Sequence, residues 1–239
     1  CVHGTLGIPL KDEMIFAAFH SLSAFCNAGF SNIEGGLSNP LILYSNQSVF
    51  IVISVLIFAG GIGFPILVNF KTAAIRYLRL FWSKVTRHKH IASPAHIYDL
   101  NTKVALYTTG IIFLISTILF FLFERNNSLY GMNFYEQVVQ SVFNSWVPRS
   151  SGFSSVPTSG FLNITLLMFV ILMWIGGASQ STAGGIKVNT FATMLLNLKA
   201  VILGRNHVTA FKRTISVPSI RRAHAVIGIS IISYAVYSM

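Results

Sequence analysis

The chain has 239 residues, of which 53% are hydrophobic and 10% are charged, whereas about 25% of the residues of a soluble domain carry a charge. This composition excludes a disordered tail and a small disulfide scaffold, and it argues against a soluble enzyme, so it indicates a polytopic membrane protein. The formal net charge is +11, but most basic residues lie in two short segments between apolar stretches, which is typical of cytoplasmic loops and not of a nucleic-acid interface.

A bilayer core needs about 20 apolar residues per helix. Four apolar stretches approach or exceed this length: 47–70, 104–123, 161–203 and 223–239. The stretch 161–203 is about twice as long as one span and has a glycine-rich centre, so it predicts two half-helices joined by an irregular loop. The positive-inside rule then puts the basic segments 71–103 and 204–222 inside, and 1–46 and 124–160 outside.

Each outer segment contains an apolar stretch that is too short to span the membrane and is followed by a glycine motif. Residues 14–25 precede a first glycine loop (27–31), which reads Asn27-Ala28-Gly29-Phe30-Ser31. Residues 134–147 precede a second glycine loop (150–154), which reads Ser150-Ser151-Gly152-Phe153-Ser154. A short apolar stretch of this kind can be a re-entrant segment, and its repetition before a long span indicates an internal repeat.

The glycine loops suggest a cation site. Backbone that is not helical survives at membrane depth only inside protein or along a water-filled cavity, where its carbonyl oxygens can replace part of a cation's hydration shell. Gly29 and Gly152 suit such a site because glycine has no Cβ and accepts a positive φ. Either motif alone would favour an ordinary outer turn, but the repetition favours the cation site. We expect Phe30 and Phe153 to pack behind the ion path.

Other polar residues have simpler interpretations. The outer acids could attract cations, but we prefer to interpret them as solvated charges; they are Glu34, Glu124 and Glu136. The seven histidines are scattered and are interpreted as solvated loop residues, and the two cysteines form no metal-binding motif.

The centre of 161–203 is the intramembrane loop (176–185), which is rich in glycine and hydroxyl side chains. Such backbone can plug a water-filled path and move at low energetic cost, which predicts a gate; the alternative is a kink for close helix packing. Lys187 follows the loop and either reaches the inner surface, forms a structural pair or helps to set a closed state. The run 60–65 contains three glycines and a proline and predicts a kink.

Three runs resemble the Trk/Ktr/HKT superfamily of potassium transporters. Residues 19–31 resemble the second pore loop of a bacterial Trk-type potassium uptake pore subunit, and 142–153 resemble the third. Residues 174–187 are similar to the broken inner helix of the third repeat, and this similarity is the most specific of the three. The chain departs from the family at Trp146-Val147-Pro148, where the third repeat usually has a threonine or serine.

The resemblance implies an all-α polytopic membrane protein with repeated span–re-entrant pore loop–span units of a four-repeat cation channel-like fold. The chain would then be an internal piece of a longer protein. Its expected segments are 1–80 (pore loop and inner helix of repeat two), 81–103 (basic cytoplasmic loop), 104–203 (complete repeat three), 204–222 (basic cytoplasmic loop) and 223–239 (start of the first helix of repeat four).

By the same resemblance, two runs form half of an ion selectivity filter, and the intramembrane loop with Lys187 forms the gate. The filter residues are Asn27, Ala28, Gly29, Phe30, Ser150, Ser151, Gly152 and Phe153, with potassium at the backbone carbonyls of Asn27, Ala28, Ser150 and Ser151. The gating residues are Gly176, Gly177, Ala178, Ser179, Gln180, Ser181, Thr182, Ala183, Gly184, Gly185 and Lys187.

The expected function is potassium uptake through this filter and gate in a multi-pass protein of the plasma (inner) membrane, without enzymatic activity. No covalent cofactor is expected, and the potassium ion is the transported ligand. The expected partners are the lipid bilayer, a second copy of the full-length subunit in a homodimer and a cytoplasmic nucleotide-binding regulatory ring, but no nucleic acid. The alternatives are a sodium-permeable or sodium-coupled cation transporter of the same superfamily and, more distantly, a non-conducting membrane scaffold.

Overall fold

The computed structural model describes residues 9–44, 46–86, 100–205, 207–211 and 213–237. Most of these residues are helical, and one small antiparallel hairpin is present. The elements are α1 (Leu10–Phe25), α2 (Pro40–Leu43), α3 (Gln47–Ile62), α4 (Phe64–Thr86), α5 (Leu100–Glu124), α6 (Phe134–Trp146), α7 (Asn163–Trp174), α8 (Val188–Ile202), β1 (Thr209–Ala210), β2 (Arg213–Thr214) and α9 (Val217–Tyr237).

The two short apolar stretches form helices, as predicted. α1 has 16 residues and α6 has 13, so at about 1.5 Å per residue neither crosses a hydrocarbon core of about 30 Å. α6 begins with a capping box, in which the Glu136 carboxylate accepts a hydrogen bond from the backbone N–H of Asn133. Each helix is followed by non-helical backbone that contains a glycine loop.

The long apolar stretches form helices of unequal length. Of the described helices, α5 is by itself long and apolar enough to cross a membrane. α3 and α4 pass the same test only as a pair, and they are bent by 106° relative to each other. α7 and α8 are short helices on either side of an irregular segment, so the prediction of a broken helix in 161–203 is confirmed.

The bend between α3 and α4 confirms the predicted kink, and the apolar stretch 47–70 is not one continuous helix. Gly63 lies between the two helices with a φ of +90°, a conformation that glycine adopts without steric penalty. Pro65 follows two residues later and has no N–H with which to continue the helical hydrogen bonds. The chain therefore changes direction within the apolar stretch.

Two basic segments are more helical than we expected. α4 continues to Thr86, six residues into the expected basic loop 81–103. α9 begins at Val217, within the expected loop 204–222, because the Ser216 carbonyl accepts the first hydrogen bonds of the helix. The expectation failed because hydropathy marks where the chain becomes polar, whereas a helix ends only where its backbone bonding ends. Residues 87–99 of the first loop lie outside the described residues.

The core forms where α6 packs between α3 and α5. The Phe50 ring of α3 meets the Phe143 ring of α6 edge to face at 5.0 Å, and the Phe113 ring of α5 stacks on Trp146 at 4.5 Å. Aromatic pairs in these geometries add to the free energy gained by burying their apolar surface. α8 packs against α5 and α9. These contacts hold both glycine loops on one scaffold.

The carboxylate of Glu124 ties α5 to α7. Glu124 is fully buried, and it accepts hydrogen bonds from the backbone N–H of Leu162 at 3.0 Å and from the hydroxyl of Thr165. Asn127 and Ser128 donate to its other oxygen. A negative charge is favourable at this end of α7 because the first N–H groups of a helix point toward it. The interpretation as a solvated outer charge is therefore wrong for Glu124.

The other two outer acids differ from Glu124. Glu34 is exposed, as expected of a solvated charge, and Glu136 is half-buried in the capping box of α6. The sequence did not separate the three because the burial of a carboxylate depends on donors supplied by distant parts of the chain.

We expect Glu124→Ala to lower the melting temperature of the detergent-solubilised protein. The change leaves buried donors without an acceptor, and the lost charged hydrogen bonds correspond to roughly 3 kcal/mol. Thermal unfolding followed by intrinsic fluorescence measures the effect, and Glu34→Ala is the matched control, for which no change is expected. Equal melting temperatures for the two variants would show that Glu124 does not hold α5 to α7.

Candidate functional site

The two glycine loops lie in direct backbone contact. Gly29 has a φ of +72° and Gly152 a φ of +73°. A Cβ atom built on Gly29 would lie 2.5 Å from the carbonyl oxygen of Ser151 and 2.7 Å from the Cα atom of Gly152. The fold therefore brings the two predicted filter runs together, and the contact leaves no room for a side chain at Gly29.

The backbone follows the same pattern of φ signs in both loops. Asn27 and Ser150, each two residues before the glycine, have φ values of +53° and +95°, whereas the intervening Ala28 and Ser151 are not in this region. A positive φ is unfavourable for residues with a side chain. Alternating φ signs can turn successive carbonyl groups toward one side of the chain, whereas a uniform extended strand alternates them. The repeated pattern is suited to a row of carbonyl ligands.

The two phenylalanines after the glycines have different surroundings. Phe153 is buried in the core, as expected, and its ring centroid lies 6.3 Å from that of His20 in α1. Phe30 is 69% exposed, so the expectation of packing is wrong for Phe30 within the described residues. The difference arises because Phe153 meets the neighbouring repeat, whereas no described element covers the corresponding side of Phe30.

The departure from the family at 146–148 does not interrupt the approach to the second loop. After α6 ends, Val147 keeps helical φ and ψ angles. The backbone N–H of Arg149 donates to Trp146, and that of Ser151 donates to Val147. The chain thus makes one more turn before it reaches Gly152.

The intramembrane loop is closed at its base by backbone pairing, and we call this base the neck. The N–H of Gly176 donates to the Ile186 carbonyl at 2.9 Å, and the N–H of Ile186 donates to Trp174 at 3.1 Å. A Cβ atom on Gly176 would lie only 1.6 Å from the carbonyl oxygen of Gly184. Glycine is required at 176 because the backbone segments on the two sides of the neck approach each other so closely.

Residues 178–183, the tip of the intramembrane loop, dock on the bend between α3 and α4. The N–H of Ala178 donates to the Gly61 carbonyl at 2.9 Å, and that of Thr182 donates to Gly60 at 3.3 Å. In return, the N–H of Phe64 donates to the Gln180 carbonyl at 3.3 Å. In a continuous helix these α3 carbonyls would accept from residues 64 and 65, and Pro65 has no N–H. The tip therefore satisfies the groups that the bend releases.

Polar side chains of both glycine loops also hold the intramembrane loop. The Asn27 amide donates to the Thr182 hydroxyl at 2.7 Å, and that hydroxyl donates to the Phe25 carbonyl at 3.2 Å. The Ser150 hydroxyl accepts from the N–H of Gly184 at 2.8 Å. The residues predicted for the filter and for the gate thus form one connected assembly.

Lys187 folds back on the intramembrane loop. Its ammonium group donates to the Ala183 carbonyl at 2.6 Å, and the side chain is half-buried. This contact agrees with a structural role and not with a side chain that extends to the inner surface.

Arg149 belongs to this assembly, but the sequence reasoning did not single it out. The Arg149 side chain is 5% exposed. Its guanidinium donates to the carbonyls of Gly176 at 2.8 Å and Ile175 at 3.4 Å. The same guanidinium lies over the Trp146 ring. Its Nη1 has no hydrogen-bond partner among the described residues. A cation that satisfies the carbonyls at the C-terminal end of α7 is favourable there. The signal in the sequence was a lone arginine three residues before Gly152, directly after a short apolar stretch.

His20 also departs from expectation. It is 2% exposed and lies on α1 beneath the first glycine loop, so the interpretation of the histidines as solvated loop residues is wrong for His20. His88, His90 and His96 lie outside the described residues. Within the part of the chain that the structure describes, no cluster of three or more histidine, cysteine, aspartate or glutamate side chains could hold a metal ion.

Comparisons with known proteins agree with this architecture. A family model described as a cation transport protein, TrkH, matches residues 10–233. The Ktr system potassium uptake protein B of Vibrio alginolyticus is 32% identical over 91% of this chain and 44% of its own length. The potassium/sodium uptake protein NtpJ of Enterococcus hirae is 32% identical over 87% of this chain and 42% of its own length.

A solved structure shows the same fold. The crystal structure of the potassium transporter TrkH from Vibrio parahaemolyticus superimposes with a TM-score of 0.67 at 18% identity, and the match covers 92% of this chain and 43% of that one. The chain therefore spans less than half the length of the relatives that it matches.

Proposed function

The chain belongs to the TrkH family of cation transport proteins, and from this premise we propose that it forms part of a potassium-conducting pore in the plasma membrane. The family is one of transporters and not of enzymes, and the chain is an all-α polytopic membrane protein with repeated pore-loop units. In the proposed pore the two glycine loops form half of the selectivity filter, and the intramembrane loop forms the gate.

One observation carries the filter assignment: the two glycine loops share one backbone pattern and contact each other through Gly29 and Gly152. Carbonyl oxygens aligned by this pattern can replace the water shell of a potassium ion. The ion would bind at the carbonyls of Asn27, Ala28, Ser150 and Ser151. The printed names of the two relatives, a potassium uptake protein and a potassium/sodium uptake protein, support potassium as the ion.

The gate assignment is supported by the hydrogen bonds of the intramembrane loop. Its tip bonds to backbone groups of the bend in α3–α4 and to Asn27, so in the proposed pore it would lie across the inner side of the first glycine loop. The proposed closed state is this docked conformation. Opening requires the tip to leave Gly60 and Gly61, and glycine-rich backbone permits that movement.

The segments follow from this proposal with boundaries adjusted to the observed helices. Residues 1–86 would supply the pore loop and inner helix of repeat two, and 100–203 would supply repeat three. Residues 204–216 would form a cytoplasmic connection that contains the hairpin, and 217–239 would begin repeat four. Two further pore loops would come from other parts of the complete gene product.

The proposed partners act on the cytoplasmic side. Basic residues on α4 and in 204–222 would face either a nucleotide-binding regulatory ring or anionic lipid. A homodimer of the complete subunit is proposed on the same family grounds. The potassium ion would be the transported ligand, without a covalent cofactor.

The test is growth of a potassium-uptake-deficient bacterium that expresses the complete gene product, at low potassium and with sodium as competitor. We expect rescue of growth, and we expect Gly152→Ser to reduce potassium uptake or to admit sodium, because a side chain at a φ of +73° distorts the loop. The matched control is Gly160→Ser, since a Cβ atom there makes only an ordinary contact with Val156 at 3.8 Å.

The measured cation fluxes distinguish the potassium pore from the sodium-permeable transporter and the scaffold. Sodium uptake without potassium uptake would favour the sodium-permeable alternative, and no cation flux from a membrane-inserted protein supplied with a cytoplasmic regulatory subunit would favour a scaffold. Unchanged uptake and selectivity in Gly152→Ser at normal abundance would contradict the filter assignment.

A further inference from the structure

His20 connects the helix α1 to the outer limb of the first glycine loop. Its Nδ1 atom lies 3.0 Å from the Phe16 carbonyl, and its Nε2 atom lies 2.9 Å from the Ser31 hydroxyl. A carbonyl can only accept, so Nδ1 carries the proton of the neutral ring, and Nε2 then accepts from Ser31. This serine comes two residues after Gly29, so the bond fixes the loop just beyond the glycine.

The same side chain contacts the second glycine loop. The centroid of the His20 ring lies 4.0 Å from that of Phe16 and 6.3 Å from that of Phe153, and the His20 and Phe153 rings are tilted by only 21° from parallel. Phe153 comes directly after Gly152. One buried imidazole therefore lies against a residue within two positions of each proposed filter glycine.

The second repeat contains a matching arrangement built from another residue type. The amide of Asn144 in α6 donates to the Gln140 carbonyl at 2.8 Å and to the Ser155 hydroxyl at 2.9 Å. In each repeat the side chain bonds to a backbone carbonyl four residues earlier and to a serine hydroxyl eleven residues later. His20, Asn144 and Ser155 are all buried. We call this pair of bonds a clasp: it joins α1 to the end of the first glycine loop, and α6 to Ser155, the residue directly after the second.

Resting on the proposed function, we infer that His20 and Asn144 are positioning residues that set how well the filter discriminates potassium from sodium. A filter of backbone carbonyls selects an ion through the number and spacing of its oxygens. Each clasp holds the chain just after its filter glycine at a fixed distance from α1 or α6, so loss of a clasp lets the carbonyls approach the smaller sodium ion. His20 has the wider effect because it also contacts Phe153.

The experiment measures the ratio of potassium to sodium uptake by the complete gene product at equal membrane abundance. His20→Phe keeps a ring for Phe16 and Phe153 but removes both hydrogen bonds. Ser31→Ala removes the partner hydroxyl, together with the bond that this hydroxyl accepts from the N–H of Ile33 at 3.2 Å. We expect either change to lower the ratio about fivefold, the scale of one neutral hydrogen bond. His20→Asn, which places the side chain of the second clasp in the first, should retain more of the ratio than His20→Phe.

Two further variants distinguish a clasp from a general packing effect. If the two groups act through their shared bond, the double variant His20→Phe with Ser31→Ala lowers the ratio by less than the product of the two single effects. The matched control is His207→Phe, because His207 is exposed outside this assembly; no change is expected.

The ratio of potassium to sodium uptake in these variants decides whether His20 positions the filter. Lower total uptake with an unchanged ratio, in both His20→Phe and Ser31→Ala, would overturn the inference and leave His20 a structural residue. If His20→Phe does not reach the membrane, Ser31→Ala decides alone, since a serine-to-alanine change adds no volume. Absence of uptake by the unaltered protein would contradict the proposed function itself, whereas normal uptake with unaltered selectivity in the variants contradicts only this inference.

Discussion

Replacing Gly29 by alanine should abolish potassium uptake by the complete gene product, and the loss should exceed that caused by Gly152→Ala. Both glycines have φ values near +70°, so either alanine introduces about 1–2 kcal/mol of backbone strain, equivalent to roughly a tenfold effect. At Gly29 a second penalty is added, because the new Cβ atom would lie 2.5 Å from the carbonyl oxygen of Ser151. That oxygen is backbone and cannot rotate away.

The space at Gly152 is larger. Its Cβ atom would lie 3.4 Å from the Cα atom of Gly29 and 3.6 Å from the Ala28 carbonyl oxygen, distances that small shifts accommodate. We therefore expect Gly152→Ala to retain measurable uptake. Rates are compared at equal membrane abundance in the uptake-deficient bacterium.

Gly131 provides the matched control. Its φ is +86°, and a Cβ atom there would find nothing within 4 Å. Gly131→Ala thus carries the same kind of backbone strain in an outer turn, away from the glycine loops. Equal uptake in Gly29→Ala and Gly131→Ala would mean that the contact between the two loops is not needed for transport.

Deleting residues 179–183 should raise potassium flux in the absence of a regulatory subunit. The deletion removes Gln180 and Thr182, which supply the tip's bonds to Phe64, Gly60 and Asn27. The pairing of the neck lies outside the deleted segment, so α7 and α8 should remain joined. Flux is measured with the purified complete protein in proteoliposomes.

Two further variants test whether lost contacts or lost length cause the change. Thr182→Val keeps the side-chain shape but removes the hydroxyl that bonds to Asn27 and Phe25, and it should raise flux in the same direction by up to about fivefold. Replacing 179–183 by five alternating glycine and serine residues keeps the length without the specific side chains. A fall in flux in all three variants, with normal folding, would contradict the gate.

Local features of the sequence were sufficient to predict the short helices, the two glycine loops, the kink and the broken helix. Each depends on a residue type whose conformational limits apply wherever it occurs, such as Gly63 and Pro65 at the bend. The repeat also helped, because two weak glycine motifs in the same context are stronger evidence for a shared site than one motif alone.

The missed residues have roles that arise only from distant contacts. Glu124 accepts from residues that begin α7, Arg149 donates to the end of α7, and His20 contacts Phe153 of the other repeat. A polar residue in an apolar stretch signals that a partner exists, but the fold decides which one. For the same reason the docking of the tip on Gly60 and Gly61 could not be anticipated from the two separate glycine runs.

The bend between α3 and α4 has a consequence for how the protein assembles during synthesis. The carbonyls that it releases at Gly60 and Gly61 are satisfied by Thr182 and Ala178, which leave the ribosome only after the whole of α5, α6 and α7. Unsatisfied backbone groups in lipid cost several kcal/mol each. A straight helix would give only the Gly60 carbonyl an internal donor, the N–H of Phe64, because Pro65 has no N–H for Gly61. The bend therefore gains its full hydrogen bonding only when the later loop reaches it. We therefore expect the first half of the chain to reach its final conformation only after the second half has been synthesised.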